Sequence, residues 1–220
     1  MTNVQCASTN HHSTGGYHEE VATVLAFFMW IATTTTADEG PPFKSIFTGS
    51  DLSGWKVPPD NIWWKAAEGL LQVRSGPQRT SSTLWTARDY TDFVIQFEFK
   101  MGDGTVDSGI FLRHEREQIQ IGNSGSLKRD MTGSPYIAGK GYPVEAEGVQ
   151  ELLKPQDWNT MKIQADGKHY TVWLNGQQVM AYESDTAIAK GPVGIQLHGA
   201  REMAIDYRNI RLGELEQAAM

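Results

Sequence analysis

Short stretches of alternating apolar and polar residues dominate the chain from residue 41 onward. The clearest is 93–99, where Phe93, Ile95, Phe97 and Phe99 fall on one face of an extended strand. The same period of two recurs in runs bounded by turn residues, at 63–73, 83–87, 108–113, 118–121, 158–165, 169–174, 178–182, 193–198 and 204–212. Asn175-Gly176 between two of these runs predicts a β-hairpin. About ten such strands without a long helical period predict an all-β fold, a two-sheet antiparallel jelly-roll sandwich.

One long stretch, 122–157, interrupts this rhythm and is rich in Gly, Pro, Lys and Tyr. Loops of this length inside a compact domain are usually functional or disordered. Because Tyr136, Tyr142 and the mixed charges suit the wall of a binding site, we expect this stretch to be ordered and functional.

The first 40 residues differ in composition from the rest. They are polar up to Glu20 and then contain an apolar run over 21–32, followed by the small residues Thr35 and Ala37. A run of that length predicts an export signal and a periplasmic or secreted protein, although no Lys or Arg precedes Lys44. The alternatives are a disordered N-terminus or a core element. We therefore divide the chain into 1–40, a domain over 41–215 and a tail over 216–220.

The charge balance narrows the class of partner. With 19 Lys and Arg against 26 Asp and Glu, the formal net charge is −7, and no cluster of four or more basic residues occurs. This argues against nucleic acid, which needs a positive field. No apolar run reaches the roughly 18 residues of a membrane-spanning helix. Cys6 is the only cysteine, so the chain cannot form an internal disulfide.

Candidate binding chemistry centres on the strand over 108–113 and the next run. In regular alternation Phe111 and Arg113 share a face, and Arg113 beside Gln118 and Gln120 would form a polar strip that hydrogen-bonds sugar hydroxyls. The alternative is surface ion pairing among the charged residues of 113–117.

His198 is the second candidate, because it ends a strand and precedes Gly199. A histidine there could enter a cleft and titrate near neutral pH, or it could be buried and bonded to a carbonyl. Metal chemistry has weaker support. The histidines after residue 40 lack zinc-ligand spacing, and Asp103 and Asp107 do not fit an EF-hand loop, which leaves only a nonstandard calcium site.

Several short motifs together resemble the bacterial 3-keto-disaccharide hydrolase domain, over about residues 43 to 215. The matching motifs are Ile46-Phe-Thr-Gly-Ser-Asp-Leu-Ser-Gly-Trp55, Ser108-Gly-Ile-Phe-Leu-Arg113, Thr132-Gly-Ser-Pro-Tyr136, Asp157-Trp-Asn159, Asn175-Gly176, Gly194-Ile-Gln-Leu-His-Gly199 and Tyr207-Arg-Asn-Ile-Arg-Leu212. The resemblance implies a concanavalin A-like jelly roll with a carbohydrate cleft on one sheet. It also implies hydrolysis of glycosides that are already oxidised at C3.

That substrate implies an elimination and a hydration, which need a base, an acid and donors for a developing enolate. On this basis we expect Arg113 to hold the enolate oxygen and His198 or Glu115 to transfer protons. A divalent metal ion could replace some donors. The residues expected to bind substrate are Gln118, Gln120, Lys128, Tyr136 and Asp107.

Two departures from the family pattern keep the function open. Gln118 stands where many relatives carry an acidic residue, and Asp107 stands where Asn usually occurs. An amide cannot transfer protons as a carboxylate does. The alternative to an enzyme is therefore a noncatalytic, lectin-like carbohydrate-binding module on the same fold, and a protein-interaction domain is a weaker third reading. The sequence assigns no oligomeric state.

Overall fold

The structure, a computed structural model, describes residues 41–216. The predicted export segment over 1–40 and most of the predicted tail lie outside these residues, so both stay predictions, as does the localisation. In the described part of the chain no helix is long and apolar enough to cross a membrane.

Residues 41–216 form two antiparallel sheets and one short helix, which confirms the predicted all-β sandwich. The strands are β1 Lys44–Ser45, β2 Trp55–Lys56, β3 Trp64–Ala67, β4 Leu70–Arg74, β5 Ser82–Tyr90, β6 Phe93–Gly104, β7 Asp107–Leu112, β8 Glu117–Gly122, β9 Pro135–Ile137, β10 Asn159–Asp166, β11 His169–Leu174, β12 Gln177–Glu183, β13 Gly191–Leu197 and β14 Met203–Glu214. The helix α1 is Val149–Leu152.

The larger sheet has the strand order β12-β11-β10-β6-β14-β4-β3, with β1 paired to β14. The smaller sheet has the order β2-β5-β13-β7-β8-β9. Alternate residues of both sheets meet in one apolar core. Its β6 face contains Phe93, Ile95, Phe97 and Phe99, as the alternation predicts.

The predicted strand over 63–73 is wrong as a single element. Glu68 and Gly69 both adopt positive φ, 55° and 78°, and form a two-residue turn between β3 and β4. Two residues with positive φ give the turn geometry that suits the twist of a hairpin. Glu68-Gly69 interrupts the apolar pattern, and this pair is the local signal for the turn.

The small sheet presents a regular grid of side chains on its outer face. In β7 and β8 the residues Ile110, Leu112, Ile119 and Ile121 belong to the core, so the residues between them face outward. Antiparallel pairing places Gly109 opposite both Gln120 and Gln196, in one row across three strands. This outer face carries the candidate site.

Candidate functional site

A cleft of about 760 Å³ lies on the outer face of the small sheet. That volume falls within the range of small-molecule binding sites. We call it the sheet cleft, and its lining residues are Asp107, Gln118, Gln120, Ser124, Gly125, Ser126, Lys128, Tyr136, Tyr142, Gln196, His198, Gly199, Ala200 and Arg201.

A chain of hydrogen bonds runs along the floor of the sheet cleft. The Gln118 amide donates to Gln120 Oε1 (3.0 Å), and the Gln120 amide donates to Asp107 Oδ1 (2.9 Å). Because an ionised carboxylate only accepts, Asp107 fixes the orientation of the Gln120 amide, and Gln120 in turn fixes that of Gln118. Gln118 Oε1 therefore takes no part in this series of hydrogen bonds and is available to accept one from a ligand.

Three buried oxygen atoms in the sheet cleft have no hydrogen-bond partner among the described residues. They are Gln118 Oε1, Gln196 Oε1 and Asp107 Oδ2. Leaving a buried acceptor unpaired costs about 1–3 kcal/mol, and such groups commonly mark the place of a ligand or water. The floor of the cleft is therefore prepared to accept hydrogen bonds from a donor-rich ligand.

Cationic and ring N–H groups surround the carboxylate of Asp107. Arg201 Nε lies 3.2 Å from Asp107 Oδ2, and His198 Nδ1 lies 3.8 Å from the same atom. The Asp107 side chain is 3% exposed, whereas that of His198 is 47% exposed. The backbone explains the meeting of these residues, because Leu197 pairs with Ser108 and the His198 N–H donates to the Asp107 carbonyl (3.2 Å).

The His198 ring has a defined tautomer in its neutral form. Nδ1 lies 2.9 Å from the Gly199 carbonyl oxygen, which can only accept, so Nδ1 carries the proton. Nε2 then keeps its lone pair and is the basic atom. The Asp107 carboxylate lies beside the same ring, with Oδ2 3.8 Å from Nδ1.

The long 122–157 stretch forms one wall of the sheet cleft. It contributes Ser124, Lys128, Tyr136 in β9, and Tyr142, whose ring packs edge-on against Tyr136 with centroids 5.3 Å apart. Burial raises the pKa of the Tyr142 phenol; the Asp107 carboxylate acts in the same direction and Ser124 opposes it. Tyr142 is therefore a neutral hydroxyl donor at physiological pH.

The expectation that Arg113 lies in the site is wrong. β7 ends at Leu112, and Arg113 has φ 67°, in the left-handed region, so its side chain leaves the alternation and turns into the interior. Its guanidinium donates to the carbonyls of Thr91 (2.6 Å), Gly167 (2.8 Å) and Ala165 (3.1 Å). It also pairs with Asp92, at 3.1 Å, and its side chain is fully buried.

Glu115 is also outside the sheet cleft. It is exposed in the turn that joins β7 to β8 and does not line the cleft. The alternative of surface ion pairing over 113–117 is wrong too, because Arg113 and Glu117 are both buried. The other six predicted site residues lie together at the cleft: Asp107, Gln118, Gln120, Lys128, Tyr136 and His198.

Gln196 and Arg201 also line the cleft, although the sequence pattern does not single them out as site residues. Gln196 carries a detectable signal, because it alternates with Val193, Ile195 and Leu197, which are core residues. Arg201 carries none, because it follows β13 in a loop whose path the sequence does not specify.

Metal ligation has no cluster of ligands to support it in residues 41–216. There, no group of three or more His, Cys, Asp or Glu side chains is close enough to hold an ion. The sheet cleft offers one carboxylate, Asp107, and one imidazole, His198.

Comparison with known proteins assigns the chain to a family. Residues 42–213 match the 3-keto-alpha-glucoside-1,2-lyase-like domain. The chain belongs to this family. That membership confirms the resemblance found in the sequence and places the chain among carbohydrate-related, hydrolase-like proteins. No curated protein matches the chain.

Solved structures give the same fold. A provisionally assigned glycosyl hydrolase of Parabacteroides distasonis ATCC 8503 is 22% identical, with a TM-score of 0.60 over 79% of this chain and 100% of its own. A second such protein of that organism is 18% identical, with a TM-score of 0.61 over 79% of this chain and 94% of its own. The Emp46p carbohydrate recognition domain is 12% identical, with a TM-score of 0.53 over 79% of this chain and 94% of its own. At these identities the likeness concerns the fold.

Proposed function

We propose that this chain cleaves the glycosidic bond of a glycoside that carries a ketone at C3, by elimination followed by hydration. One observation carries the proposal. A half-exposed imidazole, oriented as a base, shares one cleft with two unpaired buried amide oxygens and with the ion pair of Asp107 and Arg201. Family membership supplies the class of substrate, since the family is described as 3-keto-alpha-glucoside-1,2-lyase-like.

The ligand-binding part of the proposal follows from the polarity of the sheet cleft. A sugar hydroxyl both donates and accepts, so it needs acceptors and donors close together. The acceptors are Gln118 Oε1 and Gln196 Oε1 on the floor. The donors are Lys128 and Tyr142 on the wall formed by the long stretch.

The first chemical step is loss of the proton on C2, which the neighbouring C3 ketone acidifies. His198 Nε2 takes this proton, and the electron pair moves toward the C3 oxygen as an enolate. Asp107 is a positioning residue here, because its Oδ2 lies 3.8 Å from Nδ1, the ring nitrogen that does not take the proton. Arg201 is the donor we assign to the enolate oxygen, in place of Arg113.

The second step breaks the bond between C1 and the glycosidic oxygen. The enolate pair forms a C1–C2 double bond, the C3 ketone re-forms, and the leaving oxygen takes a proton. Tyr142 and protonated His198 are the proton donors at hand. Water then adds its hydroxyl to C1 and a proton to C2, which gives the free 3-keto sugar. The sequence of steps consumes one water molecule and needs no oxidant, reductant or other co-reactant.

The test uses a 3-keto-disaccharide and its unoxidised parent disaccharide with the purified full chain. We expect release of both sugar units from the keto compound only, and incorporation of deuterium at C2 when the reaction runs in heavy water. His198→Gln should lower kcat by about 10²–10⁴-fold, the usual contribution of a general base. His169→Gln is the matched control, because His169 is exposed on β11 of the other sheet and pairs with Glu183.

The contrary outcome has a definite meaning. Measurable sugar binding with neither cleavage nor exchange at C2 would identify a noncatalytic binding module instead. Equal losses in His198→Gln and His169→Gln would remove His198 from the mechanism.

A further inference from the structure

An aromatic surface adjoins the sheet cleft on the same face of the small sheet. Trp85 of β5 and Phe111 of β7 stack with ring centroids 5.3 Å apart and planes 21° from parallel. Leu84 is a core residue, so Trp85 points outward, and neither Trp85 nor Phe111 belongs to the core cluster. Trp85 is partly exposed, whereas Phe111 is buried, at 7% exposure. The Trp85 ring is therefore the accessible member of this aromatic pair.

Strand register connects this aromatic pair directly to the cleft. Consecutive pairings across the small sheet place Lys56, Trp85, Gly194, Phe111, Gln118 and Tyr136 in one row that crosses all six strands. The last two residues of that row line the cleft. The aromatic surface is therefore a continuation of the cleft floor.

Gly194 allows the Trp85 ring to lie close over the sheet. A Cβ atom at position 194 would come within 2.6 Å of two carbons of the Trp85 ring. The ring therefore occupies the space above Gly194, two residues along β13 from Gln196, which lines the cleft. Two residues of a strand span about 7 Å, which is of the order of one sugar ring.

We propose that Trp85, supported by Phe111, is the stacking surface for the second ring of the glycoside, whose first ring lies in the sheet cleft. The inference rests on the proposed function and specifies its substrate as one with a ring-shaped leaving group, such as a second sugar. A flat aromatic face beside polar floor groups suits a pyranose, which presents C–H groups on its faces and hydroxyls at its rim. Lys56, exposed and next to Trp85 in the row, is a donor for those rim hydroxyls.

The experiment compares two substrates that differ only in the second ring, a 3-keto-disaccharide and the corresponding methyl 3-keto-glycoside. Trp85→Ala should lower kcat/KM for the disaccharide about five- to tenfold and leave that for the methyl glycoside unchanged. Trp85→Phe, which keeps a ring, should restore most of the loss. The matched control is Trp173→Ala, because Trp173 is a partly exposed tryptophan on β11 of the other sheet, where it contacts Lys162.

Equal losses for both substrates, or no loss for the disaccharide, would overturn the assignment of Trp85. Thermal unfolding of each variant shows whether an equal loss reflects damage to the fold. If the wild-type chain cleaves neither substrate, the proposed function is wrong. The role of Trp85 in binding is then tested separately, by calorimetric measurement of the affinity for each of the two compounds. The wild type should bind the disaccharide more tightly than the methyl glycoside, and Trp85→Ala should abolish that difference; equal affinities in the wild type would refute the proposal.

Discussion

The guanidinium of Arg113 connects, through hydrogen bonds, two loops at one end of the two sheets. It donates to the carbonyls of Thr91 and Gly167 on different loops and pairs with Asp92, whose carboxylate also accepts from the Gly167 N–H (2.7 Å). Its fork of five donors suits this task, since several acceptors can be served at once. The role of this residue is structural.

We expect Arg113→Ala to lower the free energy of unfolding by roughly 3 kcal/mol, because it leaves Asp92 and three carbonyls without their buried partner. Urea denaturation measures this loss. The fraction that stays folded should bind sugar as the wild type does. Arg116→Ala is the control, because Arg116 is exposed in the next turn and its loss should change stability by less than about 0.5 kcal/mol. Normal stability with lost binding in Arg113→Ala would return Arg113 to the site.

The two faces of strand β8 have different roles. Gln118 and Gln120 face the cleft, whereas Glu117 points between the sheets. There its carboxylate accepts hydrogen bonds from the hydroxyls of Tyr170 on β11, Ser184 and Thr186. The buried carboxyl group of Glu117, which accepts from three hydroxyls, therefore links the small sheet to the end of the large sheet. It also shows why the acidic residue next to Gln118 cannot serve as a base in the cleft.

Glu117→Gln should destabilise the fold by about 1–3 kcal/mol, since an amide offers one acceptor oxygen instead of two and one hydroxyl loses its partner. Chemical denaturation of Glu117→Gln, Tyr170→Phe and the double variant gives the coupling energy between the two residues. We expect the double variant to lose at least 0.5 kcal/mol less than the sum of the single losses. Gln118→Ala, one residue away on the opposite face, is the matched control and should weaken sugar binding more than stability. Additive losses would show that the contact between Glu117 and Tyr170 contributes little.

Two buried tyrosines make the free energy of unfolding of the whole molecule depend on pH in the alkaline range. Burial raises the pKa of Tyr207 in β14, where its hydroxyl lies 2.9 Å from Ser108 Oγ. Burial, followed by the bond to Glu117, raises the pKa of Tyr170 as well. Above the ordinary tyrosine value of 10.0 the unfolded chain loses protons that the folded chain keeps, so the free energy of unfolding must fall as pH rises.

Urea unfolding between about pH 8 and about pH 11 tests this dependence. Stability from both tyrosines should be fully present below pH 10 and should decline above it. In Tyr207→Phe the decline should be shallower, because one linked proton is removed, although the variant also loses the contact with Ser108. Tyr182→Phe, a partly exposed tyrosine on β12, is the control and should retain the wild-type slope. Identical slopes in all three proteins would contradict the linkage.

The fold class and most of the strands can be predicted from local sequence patterns. The alternation of Phe93, Ile95, Phe97 and Phe99 describes the buried face of β6, and Asn175-Gly176 marks the hairpin between β11 and β12. Periodicity is a local property, since each strand shows its buried face through its own spacing. Four predicted site residues, Asp107, Gln118, Gln120 and His198, lie in the cleft for a related reason: they lie on, or beside, strands whose outward positions the spacing already identifies. Lys128 and Tyr136 belong instead to the long stretch over 122–157, which the sequence marks by its length and composition.

Which of these positions meet in space depends on how the strands pair. His198 reaches Asp107 because β13 pairs with β7, and Arg201 joins them from a loop; neither contact has a local signal. The Arg113 side chain lies outside the cleft because its left-handed backbone conformation, just past the end of β7, directs the side chain into the interior. The two-residue strands β1 and β2 are too short to show a period. Sheet order, register and single backbone reversals depend on contacts between distant parts of the chain, and local spacing does not encode them.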